Sequence, residues 1–134
     1  MNNKIGDMIT RIRNAIMVNK DFVVIESNKE IERILYKLEE LGYIKGRRKM
    51  REGVNGMKVK ICIKLKYKYG ESIIREIGLI SKSSRRVYMD RNEISKIMGE
   101  DKITNFIITT KSGYKTGLEI LRSGEGGEVI MYIK

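Results

Sequence analysis

The chain has 134 residues, 41 % of them hydrophobic, enough for one domain or two small ones with a genuine core. It carries 28 basic against 17 acidic residues, a net charge of +11, and an excess of that size points to a polyanionic partner, nucleic acid or an anionic membrane surface. With no histidine and a single cysteine, Cys62, it cannot assemble a histidine-based triad, a Cys/His zinc cluster or an internal disulfide framework. No run approaches the roughly 20 apolar residues of a membrane-spanning helix. Met1-Asn2-Asn3-Lys4 lacks the apolar segment of a secretory signal, so the chain reads as a protein made and used without secretion. The absence of proline and tryptophan beside abundant Ile, Lys, Asn and Met fits an AT-rich genome.

Ile5, Met8, Ile9, Ile12 and Ile16 fall at the 3-and-4 spacing of one apolar helix face, with Asn2 or Asn3 as the cap. The other face carries Thr10, Arg11, Arg13 and Asn14, which is either a solvated surface or a set of phosphate and sugar contacts. Phe22-Val23-Val24-Ile25 reads as a strand. Ser27 and Glu30 then form a capping box for a helix through Ile31, Ile34, Leu35, Leu38 and Leu41, stopped by Gly42.

Tyr43-Ile44 opens a strand that pairs with Met57–Tyr69 across a turn at residues 51–56. In the second of these strands Met57, Val59, Ile61, Ile63, Leu65 and Tyr67 alternate with Lys58, Lys60, Cys62, Lys64, Lys66 and Lys68. That pattern is read either as an edge strand kept soluble by lysine or, with Lys45, Arg47, Arg48, Lys49 and Arg51 alongside, as one neighbourhood of ten bases that attracts phosphate. Residues 1–67 carry a net +8 and residues 68–134 a net +3. A boundary at Tyr69-Gly70 is therefore expected, separating a basic α-β-α-β-β domain, 1–69, from a domain of strands with short helices, 70–134. The fold class is α/β of the α+β type.

The second half opens with apolar strand material over 73–80, followed by a basic loop at 81–86. Tyr88 beside Arg85 and Arg86 is either half-buried packing or a ring for stacking on a base. Asp90 and Glu93 cap a short helix, Ile94 to Met98, closed by Gly99. Phe106-Ile107-Ile108 runs into Thr109-Thr110-Lys111-Ser112-Gly113. Thr116 to Arg122 makes a helical turn, and Gly126-Gly127-Glu128 enters the last strand, Val129–Ile133. Short hydroxyls, backbone amides and a carboxylate at strand ends suit a polar, hydrogen-bonding partner. Ser123–Gly127 could suggest a phosphate cradle, but it lacks the P-loop lysine and precedes a strand.

Taken together, these residues resemble the bacterial-type ribosomal small-subunit protein eight family. Residues 5–15 are similar to its N-terminal helix signature, Leu41-Gly42-Tyr43-Ile44 to its helix-to-strand junction, residues 80–88 to its central loop and 126–130 to its C-terminal end. The resemblance implies a non-catalytic, cofactor-free constituent of the small ribosomal subunit, which binds an irregular stem in the central domain of small-subunit ribosomal RNA and supports assembly. A free translational regulator that binds its own messenger RNA is the alternative. It also implies small-subunit protein five as a neighbour, and a place on the ribosome of an AT-rich bacterium or of an organelle. The RNA contacts it implies are Thr109, Thr110, Lys111, Ser112, Gly113 and Thr116, with Gly126, Gly127 and Glu128, the central-loop residues Ser83, Ser84, Arg86 and Tyr88, and Thr10, Arg13 and Asn14 of the first helix. Two departures stand out. The family's Ser-Thr-Ser-Lys-Gly is Thr109-Thr110-Lys111-Ser112-Gly113 here, leaving open whether Lys111 or Ser112 takes the hydroxyl's role, and Ser83-Ser84 replaces Pro-Gly.

Overall fold

The structure, a computed structural model, describes residues 3–134, Asn3 by its backbone alone. Two compact units result, Asn3–Ile74 and Arg75–Lys134, together an α+β architecture.

In the first unit, α1 (Asn3–Met17) buries Ile5, Met8, Ile9, Ile12 and Ala15, the stripe that its periodicity requires. Asn2, one of the two cap candidates, lies outside the described residues, and Asn3 is already helical. β1 (Phe22–Glu26) leads to α2 (Lys29–Glu40), whose cap is Asn28 and not Ser27: its Oδ1 accepts the Ile31 amide at 2.8 Å. Ser27 stays on the strand side: its amide donates to the Val59 carbonyl, 3.0 Å, and its hydroxyl has no hydrogen-bond partner among the described residues. At the other end Gly42 takes φ +85°. The Gly42 amide donates to Glu39 O and the Tyr43 amide to Leu38 O, both 3.0 Å, the paired bonds of a Schellman stop.

β2 (Ile44–Glu52) and β3 (Lys58–Leu65) pair antiparallel across a 3-10 turn at Val54–Gly56, and the sheet order is β1-β3-β2. β3 is therefore central, and its lysines do not guard an edge. Nor do the ten bases share one neighbourhood. The register sets Arg48 opposite Cys62 on the lysine face, whereas Arg47 and Lys49 stand opposite Ile63 and Ile61 and pair with Glu39 and Glu32 of α2. The alternation of β2 distributes its charges over both faces. A two-residue hairpin, β4 (Tyr67–Lys68) and β5 (Glu71–Ser72), follows, with Tyr69-Gly70 as its turn.

The second unit is an antiparallel sheet ordered β6 (Ile77–Leu79), β10 (Gly127–Ile133), β8 (Asn105–Thr110), β9 (Gly113–Thr116), with β7 (Tyr88–Met89) also on β10. Only Ile77–Leu79 of the apolar segment 73–80 is strand here. α3 (Arg91–Glu100) begins with the Asp90/Glu93 capping box, but Gly99 lies inside it. The helix ends instead at Asp101, whose carboxylate accepts from the Thr104 hydroxyl at 2.6 Å and from the Ile103 and Thr104 amides. α4 (Gly117–Ser123) starts with a second box, Thr116/Glu119. Ile94 of α3, Ile120 of α4, Ile108 and Val129 form the core, with Ile80, Met89, Met98 and Phe106 packed around it.

Asn28→Ala should lower the unfolding free energy by about 1 kcal/mol. Ser27→Ala removes a buried hydroxyl that has no hydrogen-bond partner among the described residues, and is expected to leave stability unchanged or raise it. Urea titration of both variants checks this, and the greater loss from Ser27→Ala would return the cap to Ser27.

Candidate nucleic-acid interface

The site is built by register. Glu128 of β10 is the partner of Tyr88 on one side and of Thr109 on the other, and Thr109 is in turn the partner of Tyr114. Directly opposed residues in antiparallel ladders project from one face. Tyr88, Glu128, Thr109 and Tyr114 thus form a row across four strands. Tyr114 has no signal in the sequence, because its place depends on the β8–β9 register.

Two glycines permit the row. A Cβ on Gly127 would overlap the Thr109 carbonyl, and one on Gly126 would stand 2.8 Å from the Met89 carbonyl, so only glycine lets β10 pass between these backbones. Glu128 is 6 % exposed. Its Oε1 faces an Arg86 guanidinium nitrogen at 3.4 Å, while its Oε2 is buried and accepts no hydrogen bond among the described residues. Burial of a carboxylate is costly unless its oxygens are satisfied, and one of these has its donor still to find. Beside it Tyr88 is 65 % exposed.

The central loop is held by a fully buried serine. The Ser81 hydroxyl donates to the Val129 carbonyl at 2.7 Å and accepts the Val87 amide at 3.0 Å, fastening β7 and β10 together. Lys82 and Arg85 exchange two 2.9 Å backbone bonds, which leaves Ser83-Ser84 as a closed, exposed two-residue tip. Arg86 is turned back toward Glu128.

The hydroxyl segment is the β8–β9 hairpin. Thr110 Oγ1 donates to the Gly113 carbonyl, 2.9 Å, and accepts the Ser112 amide, 3.1 Å, and Gly113 has φ +110°. Lys111 is exposed at the tip. The Ser112 hydroxyl is taken by Glu125, 3.1 Å away, and the other oxygen of that carboxylate holds Lys115 Nζ at 3.1 Å. The hydrogen bonds from Lys115 first, and then from Ser112, hold the Glu125 carboxyl below its ordinary value. Sequence reading did not identify this clasp, since nothing in Ser123–Gly127 distinguishes a brace from a solvated acid. Thr116 is buried, and its hydroxyl accepts the Glu119 amide as the cap of α4. Thr10, Arg13 and Asn14 share an exposed face of α1, at spacings of three and four, and belong to the N-terminal unit. The Thr10 hydroxyl donates to the Gly6 carbonyl at 3.0 Å.

Ser81→Ala strands a buried amide and carbonyl, and should cost about 1–3 kcal/mol in denaturant unfolding. A depressed carboxyl pKa means that the Glu125 clasp is present above the unfolded value and is lost as the pH falls through the folded one. Amide chemical shifts of Ser112 should report that loss on acidification, and Glu125→Gln should abolish the titration.

The sequence profile of the family described as Ribosomal protein S8 matches residues 3–133. The chain is 42 % identical over 130 residues to a Small ribosomal subunit protein uS8 of Thermodesulfovibrio yellowstonii, covering 96 % of this chain and 95 % of that one. It is 40 % identical to proteins of the same name from Allorhizobium ampelinum, over 97 % and 96 % of the two chains, and from Coxiella burnetii, over 99 % and 98 %. Similarity of this extent, running through both units, shows that the chain belongs to the ribosomal protein S8 family, whose members are structural and not enzymatic.

Proposed function

We propose that this small-subunit ribosomal protein binds an irregular stem in the central domain of small-subunit ribosomal RNA directly, and that this binding supports subunit assembly. The observation that carries the reading is the row in which the Glu128 carboxylate stands between Tyr88 and Thr109 at the strand ends. In a chain of net charge +11 an acid at the binding face would repel phosphate. Its complement is therefore a hydrogen-bond donor, a ribose 2′-hydroxyl or an exocyclic base amine, of the kind that A-form minor grooves and irregular stems display. The Thr109 hydroxyl in the same row offers a second short polar contact, and the exposed Tyr88 ring offers a surface for an unstacked base. Lys82, Arg85 and Lys111, all exposed, supply the phosphate attraction that positions the RNA without reading its sequence.

The clasped turn favours Lys111 over Ser112 as the side chain that stands in for the third hydroxyl. With Ser112 tied to Glu125, Lys111 is the side chain at the turn that meets the RNA, through phosphate, and Ser112 shapes the turn. Thr110 acts in the same way as Ser112, by fixing the backbone, and Thr116 supports α4. Small-subunit protein five is the proposed protein neighbour, on family grounds, and the ribosome is the site of action.

Filter binding of small-subunit ribosomal RNA over a range of salt concentrations tests the assignment. Glu128→Gln should weaken binding by about 10- to 100-fold, the worth of a charged hydrogen bond, at every salt concentration. Lys111→Ala should instead lower the slope of log affinity against log salt by about one. Equal losses and equal slopes would refute the division between a reading row and a phosphate contact. A protein found mainly outside small subunits in growing cells would favour a free regulator.

A further inference from the structure

Among the described residues three that are not glycine adopt positive φ: Asn19 at 54°, Asn55 at 59° and Tyr69 at 53°. The first two are of the residue type that tolerates the left-handed region, and Tyr69 is not. It occupies the first central position of the β4–β5 turn, followed by Gly70 at φ +77°, and a two-residue turn with both angles positive favours Asn-Gly. Packing does not account for the exception either, since Tyr69 is 94 % exposed. Backbone preference and burial both argue against an aromatic residue at this position.

We propose that Tyr69 is a stacking platform for an unpaired base of small-subunit ribosomal RNA, a contact separate from the Glu128 row. This rests on the reading of the chain as a ribosomal RNA binder. The turn that carries the ring is anchored. Tyr67 and Lys68 pair with Ser72 and Glu71, the Tyr67 hydroxyl donates to the Lys20 carbonyl at 2.6 Å, and the Ile73 amide donates to the Lys66 carbonyl at 2.9 Å. Lys68 Nζ lies 5.6 Å from the centroid of the Tyr69 ring. Glu71 is the only acid between Gly53 and Arg75, a stretch that holds Lys58, Lys60, Lys64, Lys66 and Lys68. An aromatic face beside a cation, on a basic strand, is the combination that holds a base by stacking and its phosphate by charge. The same charge disfavours a basic segment of a neighbouring protein as the occupant.

The test compares the full-length chain with Tyr69→Phe and Tyr69→Asn, using full-length small-subunit ribosomal RNA as the probe. Tyr69→Asn is expected to melt at the same or a higher temperature, because it suits the turn, yet to bind RNA about 5- to 100-fold more weakly, the range for one lost stacking contact. Tyr69→Phe should stay within about twofold of the parent. Chemical probing should show a base protected by the parent and by Tyr69→Phe but reactive with Tyr69→Asn. Unchanged affinity and protection with Tyr69→Asn would overturn the proposal. Intact binding to naked RNA with impaired entry into subunits would overturn it in favour of a protein partner. If the parent chain and Glu128→Gln both fail to bind, the ribosomal RNA reading falls with it. If Glu128→Gln behaves as expected and Tyr69→Asn binds like the parent, only the stacking inference falls.

Discussion

The backbone of Gly127 runs so close to the Thr109 carbonyl that no side chain fits between them, and the C-terminal unit is organised around that approach. β10 is the strand on which β6, β7 and β8 all pair. Its entry through Gly126-Gly127 brings Glu128 into register with Tyr88 and Thr109 together. An alanine at either glycine would push the strands apart at the end where Tyr88, Glu128 and Thr109 stand. The consequence reaches further along the strand. A register shift between Val129 and Met131 lets Val129 pair with Ile108 and Met131 with Ile107, so two residues that would share a face in a regular strand are directed to opposite sides. Val129 thus joins Ile94 and Ile120 in one core cluster, while Met131, also fully buried, lies with Ile107 on the face of the Glu128 row.

In the proposed reading, a buried acid among exposed bases divides the work of binding RNA. Long-range attraction comes from lysines and arginines and is indifferent to what the phosphates connect. A buried carboxylate adds little to that attraction and acts only over hydrogen-bond distance, on a donor placed to meet it. In that reading the acid discriminates and the bases collect. Arg86 joins the two roles by turning toward Glu128. In the Ser112–Glu125–Lys115 clasp of the neighbouring turn, one half-buried acid orders both a hydroxyl and a cation.

Much of the architecture can be read in the residues themselves. Ile31, Ile34, Leu35 and Leu38 announce α2, Gly42 its end, and Asp90 with Glu93 the start of α3. The errors have one character. Ser27 and Asn28 are both competent caps, but Ser27 is drawn into the strand by Val59, about 30 residues away, and Asn28 accepts the Ile31 amide. Gly99 looks like a stop, yet the Asp101 carboxylate collects the amides of Ile103 and Thr104 and ends the helix there. The alternating lysines of β3 suggested an edge, but edge and centre differ only in whether a second neighbour arrives.

What the sequence determined by itself was therefore everything carried by local periodicity and local chemistry: the helices and most strands, the α+β class, the absence of histidine or paired cysteine chemistry, the family, and the segment of hydroxyls and glycines. Tertiary structure decided what depends on register. It distributed the bases of β2 over both faces, drew Tyr88, Glu128, Thr109 and Tyr114 into one row, committed Ser112 to Glu125, and left Tyr69 exposed on a strained turn. The physical reason is that side-chain spacing along a strand records which face a residue takes, whereas its opposite number is chosen by a strand elsewhere in the chain.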